Sequence, residues 1–150
     1  MKIVILGCGR AGSALALFMS REGHDVAIID RDSGAFRRLP KNFPGRAIRG
    51  VGIDEEILRD AGIESADAFV AVTNGDNTNI MAAQIAKVRF KVPTVVARLY
   101  DPVRASAYRD LGIQTLCTTT LGAGVIQDLI LCRPWRTVEE YQQLCALFDV

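Results

Sequence analysis

The stretch Ile3-Val4-Ile5-Leu6-Gly7-Cys8-Gly9-Arg10-Ala11-Gly12 decides the fold. Four consecutive apolar residues, with no polar alternation, read as a strand buried on both faces. The run stops at Gly7, and a G-x-G-x-x-G turn opens a helix over 11–22 with Leu15, Phe18 and Met19 on one stripe. Such a glycine pattern is common by chance. Between a strand and a helix it has a mechanism. Gly7 permits the tight turn, Gly9 lets a diphosphate approach the backbone, and Gly12 lets helix and strand pack closely. The helix N-terminus then presents free N–H groups and a partial positive charge to an anion.

Working outward, short apolar runs keep alternating with longer stretches of helical spacing. Strands are predicted at 26–29, 47–49, 68–72, 94–99 and 114–117, after the first at 3–6. Between them fall a short helix at 33–39, a helix capped by Asp54 and ended by Gly62, and helices at 76–90 and 102–111. Six alternations of this kind give a parallel sheet with right-handed crossovers. The fold expected is a Rossmann-type, doubly wound six-stranded parallel sheet. Residues 121–131 and 137–148 add a C-terminal helical appendage, so 1–118 forms the nucleotide-binding domain and 119–150 a helical tail.

Strand ends in such a fold face one crevice. Asp30 ends the second strand about twenty residues after the glycines, where a carboxylate accepts from ribose hydroxyls. It would repel a 2′-phosphate, and Arg31 beside it offsets that repulsion. Arg10, a cation inside the phosphate turn, points to extra negative charge as in ADP or ATP, to a partner subunit, or simply to solvent. Thr73, Asn74 and Gly75 follow the fourth strand and lie beside the ligand. Arg98, near the end of the fifth strand, reaches a phosphate or a neighbouring loop. Asp76 is expected to cap the helix it opens.

Composition narrows the function classes. The 150 residues are 49% hydrophobic and 23% charged, the balance of one globular domain. The net charge of +1 argues against nucleic-acid binding by phosphate neutralisation. Cys8, Cys117, Cys132 and Cys145 form no C-x-x-C pair, and His24 is the single histidine, so neither a zinc site nor a redox dithiol is expected. No apolar run approaches the ~18 residues of a membrane span, and 3–6 is too short for a secretion signal. The expectation is a cytoplasmic chain without direct membrane insertion. A small NAD-dependent oxidoreductase is the alternative, but no Tyr-x-x-x-Lys pair is present and the histidine lies away from the crevice. A bare interaction module with an empty pocket is a third reading.

Several segments together resemble the N-terminal domain of the regulators of potassium conductance (RCK), of the TrkA-N type. They are the opening stretch, Glu22-Gly23-His24-Asp25-Val26 leading to Ile29-Asp30-Arg31-Asp32, and Leu58-Arg59-Asp60-Ala61-Gly62-Ile63-Glu64-Ser65-Ala66-Asp67. Val72-Thr73-Asn74-Gly75-Asp76-Asn77-Thr78-Asn79 and Val96-Ala97-Arg98 complete the set. The resemblance runs from residue 1 to about 118. It implies a regulatory subunit of a Trk or Ktr potassium channel or transporter. Such a subunit binds NAD(H) or an adenine nucleotide (ADP, ATP or AMP) without turnover. It gates potassium transport through ligand-dependent geometry of a homodimer, which assembles further into a ring. Carried onto this chain, the ligand contacts Gly7, Cys8, Gly9, Arg10, Ala11, Gly12, Asp30, Arg31, Val51, Thr73, Asn74 and Arg98. Two departures are visible. The family usually has Gly-Asp after its third strand, near the adenine, whereas this chain has Gly50-Val51-Gly52. Full-length members often carry a C-terminal ligand domain, for which the stretch after Cys117 is too short. The tail is expected to be a dimer crossover or the beginning of that domain.

Overall fold

A computed structural model describes residues 1–109 and 111–148. Its six strands are β1 (Lys2–Leu6), β2 (Asp25–Asp30), β3 (Arg46–Arg49), β4 (Ala68–Ala71), β5 (Thr94–Leu99) and β6 (Gln114–Cys117). They form one sheet in the order β3-β2-β1-β4-β5-β6, and every neighbouring pair is parallel. The helices are α1 (Arg10–Arg21), α2 (Glu55–Asp60), α3 (Asp76–Gln84), α4 (Pro102–Arg109), α5 (Thr118–Ile130) and α6 (Val138–Gln143). The strand order reverses between β1 and β4, so a crevice opens above their C-terminal ends. The expected doubly wound fold is present, with two helices after β6.

The continuous apolar strands divide their residues between two cores. Ile3 and Ile5 of β1 pack with Val26, Ile28 and Ala16 on the α1 face. Val4 and Leu6 pack with Ile29, Phe69, Ala82 and Ala83 on the face covered by α2 and α3. A third cluster joins Leu99, Ala105, Cys117 and Cys145 at the β6 edge. There the tail folds back, and the Gln142 side-chain amide accepts from the Cys117 N–H at 2.7 Å and donates to its carbonyl at 3.2 Å. A buried clasp fixes the turn between α5 and α6. Asp128, 1% exposed, accepts from Arg136 Nε at 2.8 Å, Arg136 Nη2 at 2.9 Å and the Tyr141 hydroxyl at 3.0 Å.

Four sequence expectations need correction. Leu15 and Met19 pack on the sheet, but Phe18 is 59% exposed, one position off the buried stripe. The helix at 76–90 is α-helical only to Gln84 and then widens to a π-type turn over Ile85–Arg89, which leaves Val88 75% exposed. The last helix is α-helical over Val138–Gln143 and tightens to 3₁₀ over Leu144–Phe148. Asp76 does not cap its own helix: Gly75 is the N-cap, and the Asp76 carboxylate crosses to the Tyr100 and Asp101 amides at 3.0 Å. A carboxylate two loops away from those free N–H groups satisfies donors that the chain around Tyr100 cannot satisfy locally. Asp54 does cap α2, accepting from the Glu56 N–H at 2.9 Å, and Gly62 takes a left-handed conformation (φ 85°) after it. The predicted helix at 102–111 is seen to Arg109; residue 110 lies outside the described residues.

Candidate nucleotide site

The site starts from the geometry of the glycine turn. Gly7 sits at φ 103°, where a side chain is strained, and its N–H donates to the Ile29 carbonyl at 2.7 Å. Gly12 sits so close to the strand that a Cβ there would lie 1.8 Å from the Gly7 carbonyl oxygen. Gly9 differs: a Cβ would meet nothing within 4 Å. The two outer glycines are therefore required by the fold, and the middle one borders open space. Gly9 is the N-cap of α1, has no side chain to cap with, and no acidic residue stands in the first turn. The leading amides of α1, from Arg10, Ala11 and Gly12, have no partners within the helix. Together with the helix dipole they make a bare anion cradle.

Asp30 stands beside this cradle. Its Oδ2 accepts from the Cys8 N–H at 2.7 Å, and its Oδ1 accepts from the Asp32 N–H at 2.9 Å. Each is a charge-assisted bond, worth about 1.5–3 kcal/mol. The carboxylate thus locks the second residue of the glycine turn to the end of β2, a role beyond the ribose contact expected from sequence. The Cys8 thiol turns away from the crevice and donates to the Ala35 carbonyl at 3.5 Å. Burial, and then the Asp30 charge, push it up to about 11, so it is a packed thiol rather than a nucleophile.

The other strand ends meet the same edge. Gly52 packs on Leu6 so tightly that a Cβ would lie 2.1 Å from Leu6 Cδ1, which draws the Val51 turn to the end of β1. The Gly50 N–H donates to the Asp30 carbonyl at 3.0 Å. On the far side, a Gly7 Cβ would lie 2.9 Å from the Thr73 nitrogen, so the glycine turn and the β4 end touch. Arg10, Arg31 and Asn74 are exposed along this rim.

Arg98 reaches a neighbouring loop, one of the two expected destinations. Its Nη2 donates to the Val72 carbonyl at 2.8 Å and the Thr73 carbonyl at 2.7 Å. The guanidinium lies 4.9 Å from the Tyr100 ring centroid, and Nε is buried without a partner among the described residues. Asn79, which closes the Val72–Asn79 run, has a role that sequence reasoning missed. Fully buried, it accepts from the Thr73 N–H at 2.9 Å and donates to the Thr73 carbonyl at 3.0 Å and the Arg98 carbonyl at 2.8 Å. One amide thus ties the β4 end to the β5 end. The available signal was an asparagine on the buried face of a helix, where an unpaired amide is costly.

Comparison with known proteins agrees with this geometry. The family model described as the TrkA-N domain matches residues 3–119. The Trk system potassium uptake protein TrkA of Streptomyces coelicolor is 56% identical over 118 residues, which are 79% of this chain and 53% of that protein. Among solved structures, GsuK bound to ADP superposes with a TM-score of 0.72 at 26% identity, covering 85% of this chain and 33% of that one. The Kef CTD of Shewanella denitrificans in its AMP-bound form has a TM-score of 0.71 at 20% identity, covering 98% of this chain and 90% of that one, and shows the fold alone. The chain spans about half the length of the Streptomyces relative. The resemblance read from the glycine turn, the Ala-Gly-Ile run and the Thr-x-x-Asp-x-x-Asn run therefore holds across the domain, and the chain belongs to the TrkA-N domain family.

Proposed function

We propose that this chain is the nucleotide-binding part of a regulator of potassium uptake, with its ligand a NAD(H) or adenine nucleotide (ADP, ATP or AMP) held without turnover. One observation carries the reading: the free amides of α1 and the open space at Gly9 stand beside an Asp30 carboxylate anchored to the same turn. The phosphates sit on the amides of Gly9 to Gly12 with Arg10 facing them. Asp30 and Arg31 meet the sugar, Val51 borders the base, and Thr73, Asn74 and Arg98 line the other wall. Supporting the ligand class, the similar GsuK structure was solved with ADP. Supporting the partner, the Streptomyces relative is a Trk potassium uptake protein and GsuK is described as a channel.

In this reading residues 1–118 bind the ligand and the tail from 119 onward joins two copies as a homodimer, which can assemble further into a ring. Exposed Ile126 and Ile130 on α5, with exposed Leu131 just after it, support the tail as a self-association surface. No helix among the described residues is long and apolar enough to cross a membrane. The chain acts from the cytoplasmic side through its membrane partner. A ligand shifts that partner only by as much as it prefers one dimer geometry over another. Calorimetric titration with ADP, ATP, AMP, NAD and NADH tests the reading. Saturable heat with at least one of them is expected, and no heat with any of them overturns it.

A further inference from the structure

The direction in which a nucleotide must lie follows from the strand order. Phosphates belong at the α1 amides above β1, and the sugar belongs at Asp30, on the end of β2. The next strand outward is β3. The base therefore continues toward the turn Gly50-Val51-Gly52, which is bonded to the Asp30 backbone. Both glycines of this turn are pinned: a Cβ on Gly50 would lie 2.5 Å from Ile57 Cγ2, and one on Gly52 would lie 2.1 Å from Leu6 Cδ1. The turn cannot slide. It presents one side chain, Val51, which is 53% exposed and carries no hydrogen-bonding group. Val51's carbonyl oxygen already accepts from the Asp54 N–H at 3.0 Å. Exposed Ile53 extends the apolar surface, and exposed Arg31 and Arg49 stand at the neighbouring strand ends.

An aromatic base stacks on such a surface whatever its exocyclic groups, because every base has a π-face. Adenine offers a 6-amino donor, for which the Val51 side chain supplies no acceptor. Guanine and hypoxanthine offer a 6-oxo acceptor, which an arginine guanidinium suits. A site that reads a base by hydrogen bonds rejects an analogue lacking them by several orders of magnitude, whereas an apolar wall discriminates far less.

We infer that the Val51 turn makes this a purine-tolerant site, which accepts guanine and hypoxanthine nucleotides alongside adenine nucleotides. The inference rests on the nucleotide-binding reading above and narrows its ligand class. Calorimetric titration of the full chain with ADP, GDP and IDP tests it. Dissociation constants within about tenfold of one another are expected. A preference for ADP of a hundredfold or more overturns the inference and leaves the nucleotide reading standing, whereas no heat with any of the three fails that reading itself. Val51→Asp and Val51→Ala locate the effect. A carboxylate repels all three diphosphates alike, so the ratio of ADP to IDP affinity is the readout. Val51→Asp is expected to change that ratio at least tenfold and Val51→Ala to keep it within threefold. An unchanged ratio in Val51→Asp puts the base elsewhere and overturns the inference.

Discussion

Replacing Gly9 by alanine separates ligand binding from folding. The backbone there is extended (φ −73°, ψ −168°), a conformation alanine adopts freely, and the new methyl meets no atom within 4 Å. The cost to the folded state is only that of a poorer N-cap, about 1 kcal/mol at most. In the proposed reading the same methyl occupies the space through which a diphosphate approaches the α1 amides. Displacing the phosphate far enough to break one charged amide bond costs about 1.5–3 kcal/mol, a loss of about 10- to 100-fold in affinity. Urea unfolding with and without ADP reads both quantities. At 100 times its Kd, ADP adds about 2.7 kcal/mol to the wild type. At that concentration a variant weakened 100-fold gains only about 0.4 kcal/mol. Gly12→Ala is the contrasting case. Its Cβ would lie 1.8 Å from the Gly7 carbonyl oxygen, so helix and strand must separate, at a cost of about 3 kcal/mol or more before any ligand is added. Gly9→Ala binding ADP within threefold of the wild type would refute the reasoning, as would Gly12→Ala unfolding at the wild-type urea concentration.

Asn79→Asp keeps the size of the side chain but loses the two N–H donors that serve the Thr73 and Arg98 carbonyls. Urea unfolding at pH 7 is expected to show a loss of about 3 kcal/mol. Because the introduced carboxyl is destabilised as an anion, its folded pKa is raised, and part of the loss is recovered as the pH falls toward 5. The Arg136 guanidinium holds Asp128 below the usual carboxylate range. Its contribution is therefore full above about pH 4 and is lost as pH falls through the lower folded value. Arg136→Ala removes the largest cause of that lowering and leaves only the Tyr141 hydroxyl and the Arg133 charge to oppose burial at Asp128, so acid unfolding followed by circular dichroism is expected to begin at a higher pH than in the wild type. Alkylation of the native protein with iodoacetamide at pH 7, read by mass spectrometry, is expected to label exposed Cys132 and to spare buried Cys8, Cys117 and Cys145 until urea is added.

Much of this domain was legible because its signals are local. Apolar runs marked the central strands, the alternation of elements supplied the mostly exposed β3, and Gly7 and Gly12 were assigned the turn and packing roles that their φ value and close contacts require. Asp54 was legible for the same reason, since an N-cap bonds two residues ahead. Asp76 was not, because its partners lie 24 and 25 residues away, in a loop whose approach depends on the packing of α3 against β5. Asn79 and Arg98 share that difficulty: their bonds join β4 to β5 and exist only once the strands are side by side. The widening of α3 at Ile85 shifted Val88 to solvent, an effect that a constant 3.6-residue period does not foresee. In the tail, α5 and α6 were expected from their apolar spacing. The Asp128–Arg136–Tyr141 clasp joins positions with no shared periodicity.

Gln142 has a consequence for how the sheet ends. A primary amide presents an N–H donor and a carbonyl acceptor side by side in one plane, the pair of groups that a neighbouring strand would offer. By matching both backbone groups of Cys117, it stands in for a seventh strand over the length of one residue. The template that a bare sheet margin offers to foreign chains is closed there by a side chain. The opposite margin, β3, is protected differently, by its brevity and by the charge of exposed Arg49. Lateral polymerisation is thus opposed at one rim by mimicry and at the other by electrostatic repulsion.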